Sequence, residues 1–228
     1  MESERLNLRA SLVNVIWIAA AFCTLPLLAQ ELPEIAYSTY YGGSGTDDCD
    51  AVAVDSDGNA YLGCHLNSPT LPGSDRYGYT ISGGMDAFVV KLNSVADAVE
   101  YITHLGGSEW DAVLGLTTDL AGNVYAVGST YSADFPVSAD AAQSEFGGES
   151  DVFVVKLNAD GETLWVTYFG GNGEEESNDI VLDSDGNVHI AGRTSSTDLN
   201  ASAGAVQQNY GGGTDAFIAS FDSQGRVI

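Results

Sequence analysis

Apolar and polar residues alternate with a period of two over short stretches of this chain, the pattern of β-strands with one face turned inward. In Asp86–Asn93, Phe88, Val90 and Leu92 fall on one side, and Ala87, Val89 and Lys91 on the other. Val52 and Val54 alternate with Ala51 and Ala53 in the same way. Asp55-Ser56-Asp57-Gly58-Asn59 and Asp183-Ser184-Asp185-Gly186-Asn187 interrupt the alternation with hairpin-turn residues, where Gly or Asn supplies a positive φ. The pattern predicts strands at 36–41, 50–54, 60–65 and 86–92, four antiparallel strands in the first unit. Long connections at 66–85, 130–150 and 194–214 hold polar and proline residues, and Asp140–Glu145 is a candidate for one helical turn.

The same pattern recurs. Tyr37–Ser44, Tyr101–Ser108 and Trp165–Asn172 align around a Gly-Gly pair, with a step of 64 residues each time. Gly58-Asn59, Gly122-Asn123 and Gly186-Asn187 keep that step. Asp86–Asn93, Asp151–Asn158 and Asp215–Asp222 form a third aligned set, its first step one residue longer. Three markers at one period define three units, near 37–100, 101–164 and 165–228. Four-stranded units in tandem imply an all-β fold of β-propeller blades, since each sheet buries its faces against its neighbours.

Composition narrows the function. The 228 residues include 32 Asp and Glu against 7 Lys and Arg, a net charge of −25, which disfavours nucleic acid and anionic membrane surfaces. The apolar run Ala10–Ala29 reads as a signal peptide over 1–29, with an uncleaved membrane anchor as the alternative, so the repeat domain is expected over 30–228. Export makes a disulfide between Cys49 and Cys64 worth considering. A four-residue loop at Asp55–Gly58 pairs Val54 with Asn59 and sets the two thiols opposite each other. The alternative is two free thiols, or a register one residue off.

The combination of Tyr37-Ser38-Thr39-Tyr40, Gly42-Gly43-Ser44-Gly45, Ala51–Asn59, Asp134-Phe135-Pro136 and Phe146-Gly147-Gly148 leading into Asp151–Asn158 resembles the bacterial β-propeller repeat family called SBBP. The resemblance covers nearly all of 36–228. It implies secreted or surface-attached proteins with a propeller fold and no assigned catalytic chemistry. Three units depart from the closed propeller, which takes about four to eight blades. A partial propeller, or one completed by self-association, is the expectation.

Residues recurring in every unit are expected to be structural, because one active site does not need three copies. Asp55, Asp119 and Asp183, and Asp86, Asp151 and Asp215, are of this kind. A minority reading makes Asp55, Asp57, Asp183 and Asp185 calcium ligands, although the turn lacks the EF-hand spacing. Residues that break the repeat are better candidates for binding. Glu174, Glu175 and Glu176 form an acidic rim, while Arg76, Tyr77, Tyr79 and Trp110 are aromatic or charged positions suited to a sugar or a protein partner. His65, His104 and His189 come from different positions in their units, which disfavours a three-histidine zinc site. The sequence has no Gly-x-Ser-x-Gly elbow, phosphate loop, Cys-x-x-Cys pair or His-Glu-x-x-His helix. The preferred expectation is an exported or cell-surface, non-catalytic interaction scaffold with no cofactor. The alternatives are a fragment of a secreted carbohydrate-active enzyme and a calcium-dependent adhesive module.

Overall fold

The turn at Asp55–Asn59 shows how each unit is organised. The Asp55 carboxylate accepts the backbone N–H groups of Asp57 and Asn59 and the side-chain amide of Asn59. Gly58 takes the left-handed conformation at φ 86° that the reversal requires. Asp119 with Gly122 and Asp183 with Gly186 repeat the arrangement. Each turn joins the first two strands of an antiparallel sheet.

The computed structural model describes residues 36–77 and 79–228, and those residues contain eleven strands and no helix. The first sheet is β1 (Asp47–Val54), β2 (Ala60–Leu66), β3 (Asp86–Leu92) and β4 (Val99–Leu105), paired in that order. The second is β5 (Asp111–Thr118), β6 (Val124–Thr130), β7 (Asp151–Leu157) and β8 (Thr163–Phe169). The third has only β9 (Glu175–Leu182), β10 (Val188–Thr194) and β11 (Asp215–Phe221). These three sheets are propeller blades of four, four and three strands.

Burial follows from stacking. One apolar cluster joins the first two sheets through Tyr61, Val89, Val113, Leu116 and Phe153, and another joins the second to the third through Val127, Val154, Ile190 and Phe221. A third lies on the other face of the first sheet, where Leu71 and Tyr79 of the long connection cover Phe88 and Val90. Burying each such side chain contributes about 1.5–3 kcal/mol.

Three sequence expectations are corrected. Residues 37–41 are not in a strand. Their counterparts, β4 and β8, pair as fourth strands onto β3 and β7 of the sheet before them. The sequence unit therefore starts one strand out of phase with the sheet. Residues 37–41 have no preceding third strand among the described residues, and an extended segment without a partner leaves its backbone groups to solvent. Asp140–Glu145 forms no helical turn, because Gln143 is drawn into backbone bonds with the fourth strand: its N–H reaches Thr167 Oγ1 at 2.9 Å and its carbonyl accepts the Tyr168 N–H at 3.1 Å.

The third correction concerns register. Val54 pairs with Ala60, one residue away from the pairing expected from the turn, and a bulge at Asp50 then brings Cys49 opposite Cys64, where a disulfide joins β1 to β2. The leader assigned to residues 1–29 lies outside the described residues.

Candidate functional site

Each first strand begins with a carboxylate that fastens the Gly-Gly loop before it. Asp111 Oδ2 accepts the Gly107 N–H at 2.8 Å and the Ser132 hydroxyl at 2.9 Å, and Asp47 holds Gly43 and Ser68 in the same way. Glu175 is the third member: it accepts the Gly171 N–H at 2.7 Å and the Thr194 hydroxyl, and is fully buried. Burial pushes the Asp111 carboxyl up to about 6, against the hydrogen bonds that favour its charge. Glu175 is thus a structural clasp rather than a rim residue. Its place in the Glu174-Glu175-Glu176 run concealed this, although its alignment with Asp47 and Asp111 was the available signal.

The residues flanking the clasp are free to differ. Trp110, just before β5, and Tyr131, just after β6, are linked by the Tyr131 N–H to the Trp110 carbonyl at 2.9 Å. Their rings meet edge to face at 5.7 Å and 77°, and both are exposed. Glu174 and Glu176 enter from the start of β9, and Arg193 from the end of β10, paired through its guanidinium with Glu176. These five residues surround a pocket of about 220 Å³ between the second and third sheets, with Leu114, Ser129 and Ser195 in its wall. The pocket offers two aromatic faces, two carboxylates, a guanidinium and hydroxyls, with one aromatic edge further covered by His65, whose ring lies 5.8 Å from Trp110. Such a lining can stack on a flat or hydroxyl-rich ligand and hydrogen-bond its edges. The structure thus brings Trp110 together with Glu174 and Glu176.

Arg76, Tyr77 and Tyr79 are not part of this site. Arg76 sits exposed on a turn closed by its own N–H to the Gly73 carbonyl. The Tyr77 hydroxyl donates to the Val99 carbonyl at 3.2 Å and the Tyr79 hydroxyl to the Ser68 carbonyl at 2.5 Å. Tyr79 also stacks on Phe88 at 5.0 Å, and burial pushes its hydroxyl up to about 12. Both tyrosines roof the first sheet. Tyr131 and Arg193 carry no signal in the alternating pattern; the mark they leave in the sequence is that they differ from their repeat-equivalents, Asn67 and Ser195 for the one and His65 and Ser129 for the other.

The calcium candidates cluster only loosely. The turns carrying Asp55, Asp119 and Asp183 border one depression of about 630 Å³, but these carboxylates are engaged within their own turns. Bonds from Asn187 and His189 hold the half-buried Asp183 carboxyl down to about 2. Asp57 and Asp185 stand exposed, each giving its N–H to the turn aspartate. Among the described residues no three acidic, histidine or cysteine side chains are grouped to hold a metal.

Tandem sheets of this order and turn chemistry define a β-propeller repeat protein. The SBBP family model, described as a beta-propeller repeat, matches residues 36–63, 100–136 and 164–200, and the chain carries three copies of that repeat. Over 171 residues, 75% of the chain, it is 27% identical to the regulatory protein FlaEY of Caulobacter vibrioides. The chain spans 17% of the length of that relative.

Proposed function

We propose that this chain is an exported or cell-surface propeller-repeat module that binds a glycan without transforming it, through the pocket between the second and third sheets. One observation carries the reading. Within the chain, the clasp carboxylates at 47, 111 and 175 keep their chemistry, whereas the rim positions beside them do not. Thr46, Trp110 and Glu174 are equivalent, as are Asn67, Tyr131 and Ser195, and His65, Ser129 and Arg193. A scaffold that holds its frame constant and varies its rim is suited to making one distinctive site out of repeated parts.

The aromatic pair favours a sugar ring, whose C–H face packs on an indole, while Glu174, Glu176 and Arg193 suit its hydroxyls. The net charge of −25 disfavours a phosphorylated ligand. Export is supported by the apolar run Ala10–Ala29 and by the disulfide, a bond that persists in oxidising compartments. A binding role is in keeping with the relative's name as a regulatory protein.

The test is a panel of neutral oligosaccharides measured against the full chain by calorimetry, with products followed by chromatography. Binding that falls at least tenfold in Trp110→Ala, with no product, is expected. Product formation contradicts the non-catalytic reading, and binding indifferent to Trp110→Ala contradicts the site.

A further inference from the structure

The pocket between the second and third sheets is electrically unbalanced. Three carboxylates line it, those of Glu174, Glu175 and Glu176, against one guanidinium, that of Arg193, and no lysine. Arg193 is already committed, since its Nε donates to Glu176 Oε2 at 3.2 Å and its Nη2 pairs with the same oxygen. Glu175 is buried and holds the Gly171 N–H and the Thr194 hydroxyl. Glu174 is left over. It is exposed, and among the described residues its carboxylate enters no hydrogen bond or ion pair.

The backbone beneath that carboxylate is fixed. The Glu174 N–H donates to Ser195 Oγ at 2.8 Å, and its carbonyl accepts the Ser195 N–H at 2.9 Å. The next residue is tied to the second sheet, the Glu175 N–H reaching the Ser150 carbonyl at 2.9 Å. The fold does not need an acid at this place, because Thr46 and Trp110 occupy it in the first and second sheets. Glu174 is therefore a charge held at the mouth of a pocket with no internal partner to explain it.

The aromatic walls favour the same sign of ligand. The faces of Trp110 and Tyr131 are electron-rich and attract a cation. Elsewhere the chain shows what completes such a pair of groups. Lys91 Nζ stands 5.3 Å from the centre of the Tyr61 ring and 3.0 Å from Glu100 Oε2, an ammonium shared between an aromatic ring and a glutamate. The pocket supplies the ring and the glutamate but has no ammonium of its own. At about 220 Å³ it is smaller than the roughly 300–1,000 Å³ common for drug-sized ligands, which suits a single sugar unit.

We propose that this pocket selects a sugar bearing a free amine, with the ring packed on Trp110 and Tyr131 and its ammonium beside Glu174. The inference rests on the glycan-binding role proposed above and names the class of glycan. A neutral sugar gains the ring contact alone. An N-acetylated sugar has lost the charge, and a uronic acid or sugar phosphate carries the opposite one.

The experiment measures by calorimetry the binding of three tetramers to the full chain: glucosamine, N-acetylglucosamine and glucose, at a pH where the amine is protonated. The glucosamine tetramer is expected to bind about tenfold or more tightly than the other two, as an ammonium placed on aromatic faces and beside a carboxylate should. Added salt should shrink that margin, because Glu174 is exposed. Glu174→Gln should remove most of it while leaving circular dichroism unchanged. Equal affinity for the three tetramers, or a margin that survives Glu174→Gln, overturns the proposal and leaves the glycan site standing. Binding of none of them overturns both. A tetralysine peptide that binds as tightly as the glucosamine tetramer, and is lost in Glu174→Gln, assigns the pocket to a cationic peptide and overturns the assignment to a sugar.

Discussion

The second and third sheets are written in nearly the same sequence, yet they are not equally built. In the second, Phe153 is enclosed by Phe135 at 4.6 Å, by the fourth strand and by the first sheet. In the third, Phe217 has Phe169 at 5.2 Å on one side and an open trough on the other. Val154 and Ile218 hold the same position, one sealed and one facing solvent. The difference lies in the neighbours, since a blade has little interior of its own. Stability in such a stack is a property of contacts between sheets more than of any sheet alone.

That contrast can be tested by mutation. Phe153→Ala should cost about 3–5 kcal/mol in urea unfolding, as large core truncations do, and Phe217→Ala roughly half as much. Equal losses would show that the third sheet is as tightly packed as the second.

The first sheet offers a second comparison, because it too is terminal but is stapled. Replacing Cys49 and Cys64 together by Ala should lower stability by roughly 3 kcal/mol, the value for a loop of this length in the chain-entropy account. Differential scanning calorimetry under non-reducing conditions measures it. A loss near zero would mean that the roof of Leu71, Tyr77 and Tyr79 holds the first sheet unaided.

The carboxylates separate by pH. Burial raises Asp111 and Asp151 to about 6, above the unfolded value of 3.8. Their contribution is fully present below pH 3.8 and is lost as pH rises through 6. Asp183, held down to about 2 by the bonds of its turn, acts in reverse and loses its contribution as pH falls from 3.8 to 2. Thermal stability should therefore peak near pH 4 to 5. Asp111→Asn should flatten the decline between pH 4 and 7, and an unaltered profile would contradict the assignment to Asp111.

The smallest effect is expected at Ala96. It occupies the left-handed position, φ 54°, that Gly161 and Gly225 take in the other sheets. Ala96→Gly should relieve about 1 kcal/mol of backbone strain, offset in part by the entropy of glycine. A lower melting temperature in Ala96→Gly would contradict this.

Much of this architecture was legible in the sequence because turns and strand entries depend on local chemistry. Asp55 with Gly58, and Asp151 ahead of Val152–Leu157, announce themselves in any register. The phase of the sheets was not legible, since Tyr37–Tyr41 reads as a strand by its own pattern and only its missing partner removes it. The disulfide register depended on a bulge at Asp50 that no local signal marks. At the site, Trp110 and Glu174 stood out as departures from the repeat. Glu175, by contrast, looks like its acidic neighbours, and only its alignment with Asp47 and Asp111 marks it as the group that holds Gly171 and Thr194.

The most direct measurement is hydrogen exchange of the β11 amides against those of β7. The account predicts that Phe217–Ala219 exchange faster than Phe153–Val155, because β7 lies between two strands and β11 has one partner strand among the described residues. Equal protection in the two strands would contradict the account.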